Sequence, residues 1–260
     1  MADRYFDEMG AHFARKIYDS PKGAIRLAVL TRDLQRQLSG LGGPDASLEV
    51  IDVGGGLGHM SEWLALRGHR VTLAEPSEDM LAQARERLEH LASTYPVHCR
   101  QASLQELALD GRRFDLVICH AVLEWLADPD AALKQLRQLM KPGAALSLAF
   151  YNRDALIYKN LIKGQFRKLR RNQLAGDGGR SLTPQSPLDP RDVQAWAAEA
   201  GLECLEKSGI RVFHDYMPEP FKSQADLAEV IAEELAYSTH PAFLQLGRYQ
   251  HWWLRERAPV

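Results

Sequence analysis

"VIDVGGGLGHM", Val50–Met60, is an apolar run broken by glycines at Gly54, Gly55, Gly56 and Gly58. Its first half reads as a strand and its end as the opening of a helix. Glycines therefore stand where the backbone must turn sharply and let a ligand come close. An acid precedes the loop at Asp52, so the pattern is acid-x-G-x-G-x-G. The dinucleotide fingerprint G-x-G-x-x-G uses its last glycine for close helix–strand packing. Here that position is His59, and the glycine falls one residue early, at Gly58. The loop suits a nucleotide-like cofactor, and the offset counts against a nicotinamide dinucleotide.

Outward from the loop the chain alternates. "SLEVIDVG" predicts a first strand and "GHMSEWLALRG" a helix stopped by Gly68; "HRVTLAEPS" predicts a second strand. "SEDMLAQARERLEHLAS" is an amphipathic helix with Ser77 as N-cap and acids in its first turn. "VHCRQASLQEL" gives a third strand and turn. "RFDLVICHAVLEWL" gives a fourth, nearly all apolar through Ile118, as a strand buried on both faces should be. "DPDAALKQLRQLMKPGA" is a helix and stop, and "ALSLAFYN" a fifth strand. "DPRDVQAWAAEAGL", "CLEKSGIRVFHDY", "QADLAEVIAEELAYS" and "GRYQHWWLRER" continue as helix, strand, helix and strand, leaving room for an antiparallel edge hairpin.

The expected fold is α/β, a doubly wound, mostly parallel, seven-stranded Rossmann-like sheet, with ligands outside the carboxyl ends of its strands. It forms a single domain: a helical cap over residues 1–45, a cofactor-binding core over 46–151, an insertion over 152–190 and the C-terminal part of the sheet over 191–260. The cap would act as a lid.

Composition is that of a globular enzyme, with 45% hydrophobic and 25% charged residues and a net charge of −2. A nucleic-acid partner must then be met by a local patch. The opening "MADRYFDEMG" does not read as a leader, and no apolar run approaches the roughly 20 residues that span a bilayer. Cys99, Cys119 and Cys204 lack CxxC pairing, and the nine histidines lack ligand spacing. A reducing cytoplasm and no metal are the expectation.

With Asp52 before Gly54, Gly56 and Gly58, the loop resembles the first motif of class I S-adenosylmethionine (SAM) methyltransferases. The helix N-terminus after the loop favours negative charge, and Asp52 would help order the cationic end of SAM. Glu75, ending the second strand, is placed to accept hydrogen bonds from both ribose hydroxyls. Ser103 and Leu104 in "QASLQEL" sit where such folds contact adenine, although a plain turn fits the same residues. His120 lies where the fourth strand reaches the cleft, and a hydrogen-bonded turn histidine is the plainer alternative.

The resemblance narrows further. "FDLVICHAVLEWLADP", "LSLAFYN", "GIRVFHDY" and the N-terminal "DRYFDEMGAHFARKIYDSPKGAIRLAVLTRDL" are similar to the bacterial tRNA 5-carboxymethoxyuridine methyltransferases, over nearly the whole chain. That resemblance implies methylation of the carboxylate on the wobble uridine of tRNA, giving a methyl ester. It also implies that Arg26 of "KGAIR" reaches the cofactor, with Gly54 and Gly55 at its amino-acid tail, Glu75 at the ribose, Ser103 and Leu104 at the base and His120 at the far wall. Glu75 departs from a more common Asp. An exposed helix arginine is the plain alternative for Arg26, but a guanidinium would pair bidentately with the SAM carboxylate.

A carboxylate, with a reference pKa of about 4, is ionised at neutral pH and needs no general base. The protein must orient it and exclude water. The candidates are Tyr151, Asn152, Arg211 and His214, the last two equally readable as a surface strand pair. For tRNA, "ALIYKNLIKGQFRKLRRNQLAG" carries Lys159, Lys163, Arg167, Lys168, Arg170 and Arg171 and no acid. As one helix it would turn Tyr158, Ile162 and Phe166 inward and a basic ridge outward, a solvated face being the plain alternative. Tyr151, Phe213, His214 and Tyr216 would stack on a splayed base, and Trp125 is assigned to the core. Two rivals remain: a methyltransferase acting on a small carboxylic acid or quinone precursor, and a non-catalytic SAM-fold protein that binds RNA.

Overall fold

The computed structural model describes residues 3, 20–43, 46–174, 184 and 186–258. Most of the expected cap before residue 20, and the part of the insertion at 175–183 and 185, lie outside them. The chain runs α1 (Pro21–Leu38), β1 (Glu49–Val53), α2 (His59–Ala65), β2 (Arg70–Ala74), α3 (Glu78–Leu88), β3 (His98–Arg100), α4 (Leu104–Leu109), β4 (Phe114–His120), α5 (Pro129–Gln138) and β5 (Met140–Tyr151). It continues with α6 (Arg153–Ile162), α7 (Phe166–Arg170), α8 (Pro190–Glu199), β6 (Leu202–Ile210), α9 (Phe221–Gln224), α10 (Leu227–Tyr237), α11 (Pro241–Leu244) and β7 (Tyr249–Glu256).

The seven strands lie in the order β3-β2-β1-β4-β5-β7-β6. β1 to β5 run parallel to one another, while β7 is antiparallel to both β5 and β6. The expected sheet and edge hairpin are both present. Alternation along each strand sends side chains to opposite faces. Val50, Leu116, Ile118 and Trp253 meet Val29, Leu30 and Leu34 of α1, Leu64 of α2 and Leu81 of α3. Ile51, Val53, Val117 and Trp252 meet Leu104 and Leu107 of α4, Leu133 and Leu136 of α5 and Val193 of α8. Each such buried side chain contributes about 1.5–3 kcal/mol of transfer free energy. Helices thus cover both faces, and the carboxyl ends of β1, β2 and β4 fall level, with Val53 opposite both Ala74 and Cys119.

Four expectations change. α1 is not a free lid: Ile25, Val29, Leu30 and Leu34 are buried, and Arg32 donates to the Leu235 carbonyl at 2.7 Å. β5 begins at Met140, so Pro142 and Gly143 lie in an irregular stretch of strand instead of ending the helix. The basic segment is two helices, because Gly164 adopts φ +65° between them. Its supposed inner row is outside: Ile162 and Phe166 are each about half exposed, while Ala155, Leu156 and Asn160 are buried. Finally, β6 stops at Ile210, where Arg211 turns the chain with φ +60°, so Arg211 and His214 are not a strand pair. Among the described residues no helix is long and apolar enough to cross a membrane.

The turn after β6 is held by Glu234 of α10. This fully buried carboxylate accepts the backbone N–H groups of Val212 (2.7 Å), Phe213 (3.2 Å) and His214 (2.8 Å). An amide in its place would turn an NH2 toward one of those donors. Glu234→Gln is expected to cost about 1–3 kcal/mol, the price of an unsatisfied buried polar group, read as a lower midpoint in urea unfolding with an unchanged slope.

Candidate active site

The loop "GGGLG" lies between β1 and α2. Gly54 (φ +65°) and Gly56 (φ +55°) take left-handed conformations, and Gly58 (φ +80°) caps α2. The N–H groups of Gly54 and Gly55 donate to the Ala74 carbonyl at 2.8 and 3.1 Å, which pins the loop to the end of β2. A Cβ on Gly54 would stand 2.5 Å from Val122 Cγ2, and one on Gly55 would stand 3.0 Å from the Asp52 carboxylate. Side chains are excluded because the loop threads between its neighbours.

A cleft opens above this loop, at the carboxyl ends of the strands where ligands of such sheets bind. Arg26, Gly54, Gly56, Glu75, Ser103, Leu104 and His120 all line it. A smaller recess behind it is lined by Arg26, Asp52, Gly54, Gly55 and His120. The sheet thus gathers all nine expected cofactor positions. Glu75 is set by two backbone donors, Gly56 N–H to Oε2 at 3.0 Å and Ser77 N–H to Oε1 at 3.1 Å. Asp52 accepts the Ser61 hydroxyl at 2.8 Å. Burial raises its pKa to about 6, against the Ser61 hydrogen bonds and the Arg26 charge. Arg26 crosses from α1, donates to the His120 carbonyl at 3.4 Å and lies over the Tyr249 ring at 5.0 Å. Ser103 is less free than expected. It forms a capping box with Glu106, whose carboxylate takes the Ser103 N–H at 2.7 Å. The Leu104 N–H, at the first position of α4, has no acceptor within its own helix.

The sequence reading missed part of this cleft. Trp125, assigned to the core, lines it together with Met80, Val122 and Leu126. Nothing in the local pattern marks Trp125 as exposed to a cleft; the 3-10 turn over Leu123–Trp125 swings it there. Ala121 also stands out, a non-glycine with φ +61° beside His120, which is the kind of strain that gathers at functional sites.

Beyond Arg26 lies a second, cationic region. Asp215 is buried between Arg211 (Nη2 to Oδ2, 3.5 Å) and Arg248 (Nε to Oδ2, 3.6 Å), with His214 Nδ1 at 3.7 Å from Oδ1. Burial opposes its ionisation, but Arg211, His214 and Arg248 hold its carboxyl far below the usual carboxylate range. Arg211 lies over the Tyr249 ring at 5.5 Å and Arg248 over the Tyr151 ring at 5.0 Å, and the two rings meet edge to face at 5.1 Å. Arg211 Nε and Arg248 Nη1 are buried and make no hydrogen bond among the described residues. Burial and Arg248 lower the Lys159 pKa to about 8. Burial raises the Tyr151 pKa to about 12, so its hydroxyl stays protonated.

Arg211, His214 and Tyr151 are therefore brought together, and Arg248 joins them unforeseen. Asn152 does not belong. It is fully buried, its amide donates to the Gln245 and Gly247 carbonyls at 2.9 Å each, and its Oδ1 accepts Asp154 N–H at 3.0 Å. That is the work of a helix cap, not of a substrate ligand. Tyr216 is likewise engaged, donating to the Leu246 carbonyl at 2.7 Å. Among the described residues no group of three or more His, Cys, Asp or Glu is placed to hold a metal.

A sheet of this order with a glycine-rich turn after β1 defines the class I methyltransferase fold. Residues 51–148 match the methyltransferase domain family. The magnesium protoporphyrin IX methyltransferase of Synechocystis, solved with bound S-adenosylhomocysteine (SAH), superposes with a TM-score of 0.65 at 18% identity, covering 98% of this chain and 97% of its own. The ubiquinone biosynthesis O-methyltransferase of Coxiella burnetii is 30% identical, over 74% of this chain and 76% of its own length. The tRNA 5-carboxymethoxyuridine methyltransferase of Escherichia coli K12 is 37% identical, over 96% of this chain and 95% of its own length. This chain belongs to the family of tRNA 5-carboxymethoxyuridine methyltransferases.

The tightness of the loop is testable by paired substitutions. Gly143 also has positive φ (+79°) but open space around it, so Gly143→Ala should cost only the backbone strain of about 1–2 kcal/mol. Gly54→Ala adds the collision with Val122 and should unfold at a distinctly lower temperature than Gly143→Ala in parallel thermal melts.

Proposed function

We propose that this protein transfers a methyl group from SAM to the carboxylate of 5-carboxymethoxyuridine at the wobble position of tRNA, forming the methyl ester. The observation that carries the reading is the excess of positive charge formed by the buried guanidinium groups of Arg211 and Arg248 and the half-buried Lys159 around the carboxylate of Asp215, next to the cofactor cleft. Buried cations with unsatisfied N–H groups are costly unless an anion completes them. A carboxylate is such an anion, and the same feature favours this substrate over a neutral quinone precursor.

The cleft fits the cofactor on two counts: a glycine cradle that a Cβ would fill at Gly54, and a buried nitrogen, His120 Nδ1, that has no hydrogen-bond partner among the described residues. Arg26 would bind the carboxylate of the amino-acid tail. Asp52, Gly54, Gly55, Gly56 and the His120 region would surround that tail, Glu75 would take the ribose hydroxyls, and the Leu104 N–H would meet the base. Bound there, SAM supplies an electrophilic methyl group on a sulfonium. Arg211 and Arg248 orient the accepting carboxylate, while Tyr151 and Tyr249 wall it from water. No side chain need take a proton, because the acceptor oxygen is already ionised.

For the RNA, residues 152–174 supply the surface. Lys163, Arg167, Lys168, Arg170 and Arg171 stand beside exposed Tyr158, Ile162 and Phe166, and Tyr158 meets Tyr216 edge to face at 5.1 Å. Basic groups for phosphates interleaved with rings for unpaired bases suit an anticodon loop. The apolar row that sequence periodicity placed inside is thus part of the contact face.

Arg211→Ala should lower kcat/KM for tRNA carrying 5-carboxymethoxyuridine about 10- to 100-fold, the loss of a charge-assisted hydrogen bond. SAH affinity by calorimetry should stay within about twofold, that being no more than a few tenths of a kcal/mol. An unchanged turnover would remove Arg211 from the site, and an equal loss of SAH affinity would mean that the fold had been damaged. The Lys159 ammonium is charged below about pH 8 and neutral above it. KM for tRNA is therefore expected to rise as pH passes upward through that value, and Lys159→Arg should abolish the rise.

A further inference from the structure

A hydrogen-bonded chain crosses the sheet behind the cofactor cleft. Asp33 Oδ2 of α1 is 2.8 Å from His251 Nδ1 on β7. His251 Nε2 is 2.8 Å from Ser147 Oγ on β5, and the same hydroxyl is 2.8 Å from His120 Nε2 at the end of β4. All four residues are buried, and the two imidazoles meet edge to face at 5.5 Å. Asp33, His251 and Ser147 do not line the cleft. His120 does, and its Nδ1 is buried without a hydrogen-bond partner among the described residues. Arg32 anchors the far end. Its Nε donates to Asp33 Oδ1 at 2.7 Å, and its Nη1 and Nη2 reach the Leu235 carbonyl and Ser238 Oγ at 2.7 and 2.8 Å.

A hydroxyl between two imidazoles donates to one and accepts from the other, so the chain has two polarities, and its ends decide between them. An ionised carboxylate only accepts. Burial works against the charge on Asp33, but the His251 hydrogen bond and Arg32 keep its carboxyl below the usual value. His251 then carries its proton on Nδ1 and accepts the Ser147 hydroxyl on Nε2. Ser147 in turn accepts from His120 Nε2–H. Burial, with the Arg26 charge nearby, keeps the His120 imidazole neutral, so a proton on Nε2 leaves Nδ1 bare. At the cofactor end the Arg26 guanidinium donates to the His120 backbone carbonyl, and its charge lies near the imidazole, a setting that suits a bare acceptor nitrogen better than a further N–H donor.

We propose that Asp33, His251 and Ser147 form a positioning relay that fixes His120 in the Nε2–H tautomer, so that Nδ1 accepts a hydrogen bond from the ammonium group of the cofactor's amino-acid tail. This rests on the reading of the cleft as the SAM site. Asp33→Asn tests it sharply. Arg32 still requires an acceptor at Oδ1, which turns the new amide NH2 toward His251 Nδ1. Every bond in the chain then reverses, and the His120 proton moves to Nδ1, where it opposes the ammonium.

The experiment uses full-length protein labelled with 15N-histidine and two-bond 1H–15N correlation spectra, with His120 assigned from its absence in His120→Asn. The expected result is a His120 protonated on Nε2 in the wild type and on Nδ1 in Asp33→Asn, with the SAH dissociation constant raised about tenfold or more. A purely structural role would lower thermal stability without exchanging the tautomers. His120 protonated on Nδ1, or on both nitrogens, in the wild type overturns the proposal without any variant, and so decides the matter if Asp33→Asn fails to fold. Exchanged tautomers with unchanged SAH affinity also overturn it. Failure of the wild type to bind SAH would strike the cofactor reading instead, while the tautomer is read without ligand.

Discussion

Two guanidinium groups, Arg211 and Arg248, share one carboxylate oxygen of Asp215 inside the protein. Charges out of water at that density need a compensating partner, and one carboxylate does not balance two arginines and a half-buried lysine. The local backbone is arranged to sustain the imbalance. Arg211 takes a left-handed conformation, Glu234 ties down the next three N–H groups, and Tyr151 and Tyr249 present ring faces to the cations. Such an arrangement suits an anionic group, and the proposed acceptor carboxylate rests on it.

The cofactor side follows a different logic. There the sheet register does the positioning: β1, β2 and β4 end level, so the Gly54 turn, Glu75 and His120 meet around one cleft. Arg26 links the two halves, since its guanidinium touches the His120 carbonyl and stacks on the Tyr249 ring that Arg211 also faces. The cleft and the cationic region are thereby joined through Arg26 and Tyr249, an arrangement that suits a reaction whose two reactants must be aligned and kept dry.

The sheet and the cofactor cleft were legible in the sequence because they rest on local signals: alternating strand and helix periods, a glycine loop after an acid, and an acid at the next strand end. Arg248 and Trp125 were not legible, because what matters in them is where a long connection or a 3-10 turn places the side chain. Asn152 was misread for a related reason. Its neighbourhood in the chain points to the site, but its own amide caps α6 and binds the carbonyls of Gln245 and Gly247. Tyr158, Ile162 and Phe166 keep helical spacing yet face outward, since Gly164 breaks the helix and Ala155, Leu156 and Asn160 supply the packed face. Periodicity shows that a face exists, not which way it turns.

The central claim is that the buried cations receive the carboxylate of a modified uridine. The most direct measurement is to incubate the protein with SAM and tRNA from cells lacking this methyltransferase activity, digest the RNA and weigh the nucleosides by mass spectrometry. The account predicts conversion of 5-carboxymethoxyuridine to its methyl ester, with no gain of mass when the carboxyl group has first been converted to an amide. Intact SAH binding with no methyl ester formed, or equal methylation of the amide, would contradict it.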